Sequence, residues 1–290
     1  MYPAPFDYVA PTSLEEAVEE LAQRGDDARV LAGGQSLIPM MKLRLAVPAA
    51  LVDINRVPGL DSIQEANGHL AIGALVRNND IVDSDIVERT NHTVAAAAPW
   101  ISDPIVRNRG TLCGSVAHCD PEGDWNSVML AVGAEVVARS ATGERVIPIA
   151  DFIADFFTNT LQPGEMVTEV RIPKYTGRAG GTYIKLERKV GDYATAAVAT
   201  HLQLEDDGRI AQAGIAMTSV APINRKATEA EQMLVGQTPS AELFGEAAQA
   251  AANAADPETN VRGPAEYKRD LIRVYTRRGL AKALEIAQGS

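Results

Sequence analysis

Apolar residues near the start of the chain are spaced in a way that predicts a compact β-α-β arrangement. Those between residues 14 and 21 recur at intervals of three and four, which is typical of an amphipathic helix. Short apolar runs at 29–32 and 51–54 predict strands, and the segment 37–45 lies between them. Strands joined by such a crossover indicate an α/β subdomain, which we assign to residues 1–57.

The pattern changes at about residue 58 into a mixture of short strands and helices. Aspartate is a favoured N-cap, so Asp124 is expected to cap the helix that begins there. The predicted elements are a strand at 70–74, helices at 81–89, 92–100 and 124–132, a hairpin of 135–140 with 146–149, and a strand at 166–172. This mixture predicts a middle α+β subdomain that covers residues 58–177.

The part of the chain after a glycine-rich, polar linker at 174–181 is predicted to form a separate domain. Its strands are expected at 182–186, 194–204 and 210–218, the last two joined by an Asp-Asp-Gly turn, and its helices at 224–235, 241–255 and 264–288. Residues 178–290 are therefore expected to form a three-stranded antiparallel sheet with a helical bundle.

Composition and charge narrow the possible functions. The 290 residues are 46 % hydrophobic, and 38 acidic side chains outnumber 27 basic ones, which gives a formal net charge of −11. Such a charge argues against nucleic acid or an anionic membrane as the partner. The N-terminus lacks the pattern of a signal peptide, and no apolar run approaches the roughly 18 residues of a membrane span, so a cytoplasmic location is expected.

The two cysteines, Cys113 and Cys119, are too few for a four-thiolate iron–sulfur cluster or zinc site within this chain. With His118 they form a Cys-x4-His-Cys spacing, but no second ligand pair and no Cys-x-x-Cys accompanies it. We therefore expect no metal site in this chain and a buried, structural role for Cys113. Any iron–sulfur cluster is expected in a partner chain.

Two glycine-containing segments could hold an anion. The first, AGGQS at 32–36, follows a predicted strand, so its backbone N–H groups and the hydroxyl of Ser36 could face a phosphate. The second, RGTLCGSVAH at 109–118, again combines glycines with hydroxyl side chains. Each alone is also compatible with an ordinary turn, and neither contains the G-x-G-x-x-G fingerprint. Together they could grip one pyrophosphate, so a dinucleotide site and two structural turns both stay open.

A third segment, KLERKVGDY at 185–193, offers further binding groups. Lys185 could reach a phosphate or a polarised carbonyl, and the ring of Tyr193 could lie on an aromatic cofactor. A charged hairpin connection would have the same composition, so that alternative stays open as well.

Five segments, in this order and spacing, point to one family: PAPFDYVAPTSLEEAVEEL, AGGQSLIPMMKLRL, RNRGTLCGSVAHCDPEGDW, TLQPGE and LERKVGDYATAAVA. Over essentially its whole length the chain resembles the FAD-binding medium subunits of molybdenum hydroxylases, the xanthine dehydrogenase family. Within that family it is most similar to the flavoprotein subunits of aerobic carbon monoxide dehydrogenases. The resemblance implies an α+β protein with a two-subdomain, vanillyl-alcohol-oxidase-like FAD-binding fold, followed by the C-terminal antiparallel sheet and helices.

The resemblance also implies which residues bind FAD, and it implies no catalytic acid, base or nucleophile in this chain. The implied residues are Ala32, Gly33, Gly34, Gln35, Ser36, Thr111, Gly114 and Ser115 for the pyrophosphate, Asp124 for the ribose or adenine side, Ile101 and Leu161 for the flat rings, Lys185 and Asp192 for the polar edge of the flavin, Tyr193 beside the isoalloxazine, and His118 in the second glycine segment. Many relatives have His at the position of Gln35 and Gly at that of Cys113, but binding by backbone amides is expected to survive both changes. A valine at Gly33 is expected to push a side chain into the pyrophosphate site.

The function implied by the family is electron transfer within an oxidoreductase complex. A large subunit with a molybdenum cofactor oxidises the substrate, carbon monoxide being our first choice, and two [2Fe–2S] clusters of a small subunit pass the electrons to FAD on this chain. An external acceptor such as a membrane quinone then receives them. A dimer of heterotrimers is implied, with an exposed apolar patch as the docking surface and any contact with the inner membrane face made through the partners. The alternatives are the medium subunit of a nicotine, aldehyde or other heterocycle dehydrogenase, a self-contained NAD(P)H-dependent flavin oxidoreductase, and a non-catalytic nucleotide-binding protein.

Overall fold

Three parallel strands in the order β1-β3-β2 form the N-terminal sheet of the computed structural model, which describes residues 2–175 and 177–289. The elements are β1 (Asp7–Val9), α1 (Leu14–Arg24), β2 (Ala28–Leu31), α2 (Leu37–Lys42) and β3 (Ala50–Asp53). Ser13 caps α1 by accepting a hydrogen bond from the N–H of Glu16, and the apolar face of α1 is buried. The predicted β-α-β arrangement is confirmed.

A five-stranded antiparallel sheet in the order β4-β5-β10-β6-β7 organises the middle of the chain. The strands here are β4 (Ile63–Ala66), β5 (His69–Gly73), β6 (Glu135–Ser140), β7 (Gly143–Pro148), β8 (Ile153–Asp155), β9 (Thr158–Asn159) and β10 (Met166–Pro173), of which β8 and β9 form a separate pair. The helices are α3 (Asn78–Val82), α4 (Asp85–Thr90), α5 (His92–Ala97), α6 (Pro104–Arg107), α7 (Leu112–His118), α8 (Asp124–Val132) and α9 (Ile149–Phe152). The predicted hairpin is present, with Ser140 paired to Gly143.

Two predictions for this middle part are wrong in detail. The helix predicted at 81–89 is two helices, because Ser84 caps α4 by accepting a hydrogen bond from the N–H of Val87. Asp124 does not cap α8; Gly123 occupies the N-cap position. The carboxylate of Asp124 is instead hydrogen bonded to side chains of the C-terminal sheet. Tertiary partners therefore prevail over the local capping preference.

A four-stranded antiparallel sheet in the order β11-β12-β13-β14 forms the C-terminal part with three helices. Its elements are β11 (Ala179–Leu186), β12 (Ala196–Leu204), β13 (Ile210–Thr218), β14 (Arg225–Lys226), α10 (Thr228–Leu234), α11 (Ala241–Ala254) and α12 (Ala265–Gly289). The predicted three-stranded sheet thus has a fourth, two-residue strand at β14, where the sequence had predicted a helix. The predicted fold class, α+β with a C-terminal sheet and helices, is confirmed.

The linker predicted at 174–181 is shorter than expected, because its last two glycines belong to β11. A Cβ at Gly180 would lie 2.1 Å from the carbonyl oxygen of Ala283 in α12. Glycine at this position therefore serves close packing of a strand against a helix, and not chain flexibility. Thr176, also within the predicted linker, lies outside the described residues.

Helix α8 lies between the middle part and the C-terminal sheet and is buried along its whole length. Trp125 is fully buried, and its Nε1 donates a hydrogen bond to Oδ1 of Asn78 at 3.0 Å. This helix fixes the C-terminal sheet against the middle part, so that loops from both can reach one cavity. Across 2–175 and 177–289, no helix combines the length and the apolar character that a bilayer crossing requires.

Candidate functional site

A cavity of about 1150 Å³ is lined by residues from all three parts of the chain. Every residue that the family resemblance implied for FAD binding lines this cavity except Lys185. Those present are Ala32, Gly33, Gly34, Gln35, Ser36, Ile101, Thr111, Gly114, Ser115, His118, Asp124, Leu161, Asp192 and Tyr193. The fold therefore brings together segments that lie far apart in sequence, while their individual contacts with FAD stay predictions.

The two glycine segments contact each other at one wall of the cavity. Gly33 is buried, and a Cβ there would lie 2.2 Å from the carbonyl oxygen of Arg109 and 2.9 Å from Cα of Gly110. Atoms do not approach that closely without a shift of one backbone, so this contact requires glycine at position 33. A side chain introduced at Gly33 meets the second glycine segment, which corrects the expectation that it would enter the pyrophosphate site directly.

The first glycine segment offers hydrogen-bond donors at this wall. The backbone N–H groups of residues 33–36 have no hydrogen-bond acceptor among the residues that the structure describes. In the second segment Thr111 caps α7, and its side chain accepts a hydrogen bond from the N–H of Gly114. Unpaired amides beside a helix N-terminus are the groups that bind phosphate. The chemistry of these donors therefore fits the pyrophosphate of FAD.

Lys185 lies behind the cavity wall and forms a buried ion pair with Asp124. Its ammonium donates to Oδ2 of Asp124 at 2.8 Å and to the carbonyl oxygen of Trp100 at 3.0 Å. The hydroxyl of Tyr183 donates to the other Asp124 oxygen at 2.6 Å. Burial raises the pKa of Asp124 despite the opposing effects of Lys185 and Tyr183. Carboxylate oxygens have several lone-pair sites, so Asp124 can still accept a hydrogen bond from a ligand.

Tyr193 is held at the cavity by Arg262, a residue that no sequence pattern singled out. The guanidinium of Arg262 lies 5.6 Å from the ring centroid of Tyr193, close enough for a cation–π contact. It also donates to Glu122 at 2.7 Å and lies 3.9 Å from Asp192. Burial and the neighbouring Asp120 raise the pKa of Tyr193 to about 12, which keeps its hydroxyl neutral at physiological pH. One cation thus joins three residues that line the cavity.

The turn that carries Leu161 is braced by a bidentate ion pair. Arg145 contacts both oxygens of Glu165 at 2.7 Å and donates to the carbonyl oxygen of Thr160 at 2.8 Å. The N–H of Gln162 donates to Glu165 at 2.6 Å. The hydrogen bonds from Arg145 lower the pKa of Glu165, with burial acting in the opposite direction. This arrangement fixes the position of Leu161 at the cavity.

His118 and Cys113 show no sign of metal binding. The ring centroid of His118 lies 4.9 Å from that of Phe157, and burial lowers the pKa of His118, so the ring is neutral at physiological pH. Cys113 is buried, its Sγ donates to the carbonyl oxygen of Ile72 at 3.4 Å, and burial raises its pKa. In the ranges 2–175 and 177–289, no group of three or more His, Cys, Asp or Glu side chains is arranged to hold a metal ion.

A cavity at which two glycine segments meet, in a chain with an α/β part followed by an α+β part, is typical of the class of dinucleotide-binding proteins. Residues 4–175 match the family described as the FAD binding domain in molybdopterin dehydrogenase, and residues 181–283 match the CO dehydrogenase flavoprotein C-terminal domain. The chain therefore belongs to the family of FAD-binding subunits of molybdopterin dehydrogenases, which are oxidoreductases. The predicted family and its cofactor, FAD, are confirmed.

Named relatives of similar length support this assignment. The 6-hydroxypseudooxynicotine dehydrogenase complex subunit alpha of Paenarthrobacter nicotinovorans is 39 % identical over 99 % of this chain and 97 % of its own. The carbon monoxide dehydrogenase medium chain of Hydrogenophaga pseudoflava is 39 % identical over 98 % of both chains. The solved carbon monoxide dehydrogenase from the same organism, which lacks the Mo-pyranopterin moiety of the molybdenum cofactor, has a chain with a TM-score of 0.94 at 40 % identity, covering 98 % of this chain and 99 % of its own. The names "medium chain" and "complex subunit" mark these relatives as parts of multi-subunit enzymes.

Proposed function

We propose that this chain binds FAD in the cavity and relays electrons through it within a molybdenum hydroxylase complex. The observation that supports this proposal is the close approach of Gly33 to Arg109, beside which the backbone N–H groups of residues 33–36 have no acceptor among the described residues. When bound, FAD supplies the capacity to take up electrons singly and to release them in pairs. The chain itself needs to bind and orient the cofactor and to exclude competing reactions.

Each part of the cavity has a task in this proposal. The glycine segments hold the pyrophosphate, and the apolar and aromatic side chains flank the flat rings. The assigned residues are 32–36, Thr111, Gly114 and Ser115 for the pyrophosphate, Asp124 for the ribose or adenine side, Ile101, Leu161 and Tyr193 for the rings, Asp192 for the polar edge, and His118 at the end of α7. Lys185 does not line the cavity, and its ammonium contacts the carboxylate of Asp124. Its task in this proposal is therefore to hold Asp124 in position.

We propose that the chain divides into residues 1–57, 58–177 and 178–290. The positions of the sheets support these boundaries. The first sheet ends with β3 at Asp53, and the third begins with β11 at Ala179.

Within the complex, we propose that a small subunit with two [2Fe–2S] clusters supplies the electrons and that a large subunit with the molybdenum cofactor oxidises the substrate. The two cysteines of this chain could not ligate such a cluster. The side chains of Ile105 and Val190 are 81 % and 83 % exposed, and each is followed by a residue that lines the cavity. These exposed apolar groups support docking of a partner beside the cavity. We further propose, from the family resemblance, a dimer of heterotrimers with quinone as the final acceptor.

Carbon monoxide is the substrate that we propose for the assembled enzyme, and a nicotine-derived heterocycle is the alternative. The alternative rests on the Paenarthrobacter relative, whose identity equals that of the Hydrogenophaga carbon monoxide dehydrogenase chain. Reduction of an acceptor dye by the complex purified through this chain, with either carbon monoxide or 6-hydroxypseudooxynicotine as donor, distinguishes the two. Reduction by carbon monoxide supports our choice, and reduction by the heterocycle alone overturns it.

Flavin content of the full-length chain and of its complex tests the FAD proposal. We expect flavin absorbance at a ratio close to one FAD per chain, and no bleaching of that absorbance by NADH in the absence of partner subunits. Bleaching by NADH would instead favour a self-contained NAD(P)H-dependent oxidoreductase. Colourless protein from flavin-replete cells, both alone and in the complex, would overturn the proposal.

A further inference from the structure

A chain of hydrogen bonds joins the first residues of the two glycine segments from behind the cavity wall. Arg77 donates from one guanidinium nitrogen to Oδ1 of Asn55 at 2.6 Å and from the other to the carbonyl oxygen of Arg109 at 2.9 Å. Asn55 donates from Nδ2 to the carbonyl oxygen of Ala32 at 2.8 Å. The path from Ala32 to Arg109 is therefore continuous through two side chains.

The atom that Arg77 holds is the same one that faces Gly33. A Cβ at Gly33 would lie 2.2 Å from the carbonyl oxygen of Arg109, so that oxygen defines how closely the first segment approaches the second. Neither Arg77 nor Asn55 is among the residues that line the cavity. Both can therefore act on a ligand through the segments that they hold.

The orientation of Asn55 is itself fixed by Asp53. The carboxylate of Asp53 accepts hydrogen bonds from the N–H and Nδ2 of Asn55, at 2.9 and 2.6 Å, and from the hydroxyl of Tyr8 at 2.6 Å. Burial favours the neutral acid, but the hydrogen bonds from Tyr8 and Asn55 outweigh it and lower the pKa of Asp53. With Nδ2 directed to a carboxylate and a carbonyl, the oxygen of Asn55 is left to accept from Arg77.

We propose that Arg77 and Asn55 are positioning residues that set the spacing of the two glycine segments and thereby the affinity for FAD. The inference rests on the proposed function, in which both segments hold one pyrophosphate. A guanidinium with two acceptors is suited to this task, because its donors are rigid and point in fixed directions. Losing either side chain breaks this link between the two segments, so that their spacing is held less firmly and the segments no longer fit one diphosphate as well.

Flavin binding by the full-length chain tests this inference. After removal of FAD, the dissociation constant is measured by quenching of flavin fluorescence, and the stability of each FAD-free variant by urea unfolding. We expect Arg77→Met and Asn55→Ala each to raise the dissociation constant by about tenfold to a hundredfold, as loss of a charged hydrogen bond implies. The double variant is expected to have about the same dissociation constant as the weaker-binding single variant, because both substitutions break the same chain of contacts.

Two further variants separate positioning from a general effect on folding. Arg77→Lys keeps the charge but can reach one acceptor at most, so it is expected to lie between the wild type and Arg77→Met. Arg225→Met is the matched control, because Arg225 also donates to a backbone carbonyl oxygen, that of Ala254 at 3.0 Å, but lies in the C-terminal sheet. It is expected to leave the dissociation constant unchanged.

The results distinguish failure of the positioning role from failure of the proposed FAD-binding function. Wild-type affinity in Arg77→Met and Asn55→Ala overturns the positioning role and leaves the proposed function intact. If the losses of FAD-binding free energy in the two single variants add up in the double variant, the idea that Arg77 and Asn55 act as one linked unit is also overturned. If Arg77→Met does not fold, Asn55→Ala and Arg77→Lys decide the question. Wild-type chain and complex that bind no FAD overturn the proposed function, and with it this inference.

Discussion

Replacing Gly33 with alanine adds one methyl group at the place where the glycine segments meet. That Cβ would lie 2.2 Å from the carbonyl oxygen of Arg109, whereas real Cβ atoms essentially never approach another heavy atom within 3.0 Å. The obstacle is backbone on both sides, and it cannot be relieved by rotating a side chain. The two segments must therefore move apart by most of the missing distance.

The size of the effect follows from that displacement. Forcing an extra methyl group into a packed site costs about 1–3 kcal/mol. The same separation moves the N–H groups of residues 33–36 away from Thr111, so we expect the dissociation constant for FAD to rise about tenfold to a hundredfold, equivalent to about 1.4–2.8 kcal/mol. Gly33→Val, with a larger side chain, is expected to abolish retention of FAD during purification.

Fluorescence titration with FAD and urea unfolding of the FAD-free chain measure both effects. Gly245→Ala is the control, because Gly245 lies in α11 and a Cβ there would meet nothing within 4 Å. This control is expected to bind FAD normally and to gain about 0.5–1 kcal/mol of stability from higher helix propensity. The reasoning is refuted if Gly33→Ala binds FAD with wild-type affinity.

Three further substitutions test other parts of the site. Arg262→Met is expected to free the ring of Tyr193 and to raise the dissociation constant for FAD about threefold to tenfold, as loss of a cation–π contact implies; unchanged affinity in the titration would contradict this. Glu165→Gln is expected to lower the free energy of urea unfolding by about 1 kcal/mol at neutral pH, because its partner is partly exposed. Since the folded state lowers the pKa of Glu165 from 4.5, the stabilisation is present above that value and is lost as pH falls through the folded pKa; a difference that persists in acid would contradict the assignment. Lys185→Met is expected to cost about 3–5 kcal/mol by leaving the charge of Asp124 buried, and adding Asp124→Asn is expected to restore part of the loss; a double variant less stable than the single one would count against it.

Local patterns predicted those elements whose boundaries depend on nearby residues. Helix α8 has the predicted bounds 124–132, and β6 and β7 form the hairpin expected from 135–140 and 146–149. The prediction failed where a distant element decided the outcome. Gly180 belongs to a strand because α12, about a hundred residues later, packs directly on it.

The candidate site was predictable as a set of segments but not as a set of contacts. Glycines and hydroxyls marked both loops, since unusual backbone geometry and phosphate binding favour those residue types. Nothing in the sequence indicates that Arg77 reaches the backbone carbonyl of Arg109 and the side-chain oxygen of Asn55, because both acceptors lie more than twenty positions away. Arg262 lies 140 positions from Glu122, its nearest charged partner, and local spacing does not reveal such a pair. Resemblance selected Lys185 as a candidate for the polar edge of the flavin, and its contact with Asp124 could not be predicted because the two residues lie 61 positions apart.

The same geometry explains why the two departures from the family pattern are compatible with FAD binding. The side chain of Gln35 donates from Nε2 to the carbonyl oxygen of Gly33 at 3.4 Å, a contact within its own loop that uses no backbone N–H. The thiol of Cys113 is buried and donates to the carbonyl oxygen of Ile72, so it makes no hydrogen bond with the N–H groups of residues 33–36. Since the backbone N–H groups supply the binding in this proposal, neither side chain competes with the pyrophosphate. The two side chains are therefore expected to influence the polarity around the cofactor. Accordingly, Gln35→His is expected to change the reduction potential of the flavin without changing the affinity for FAD.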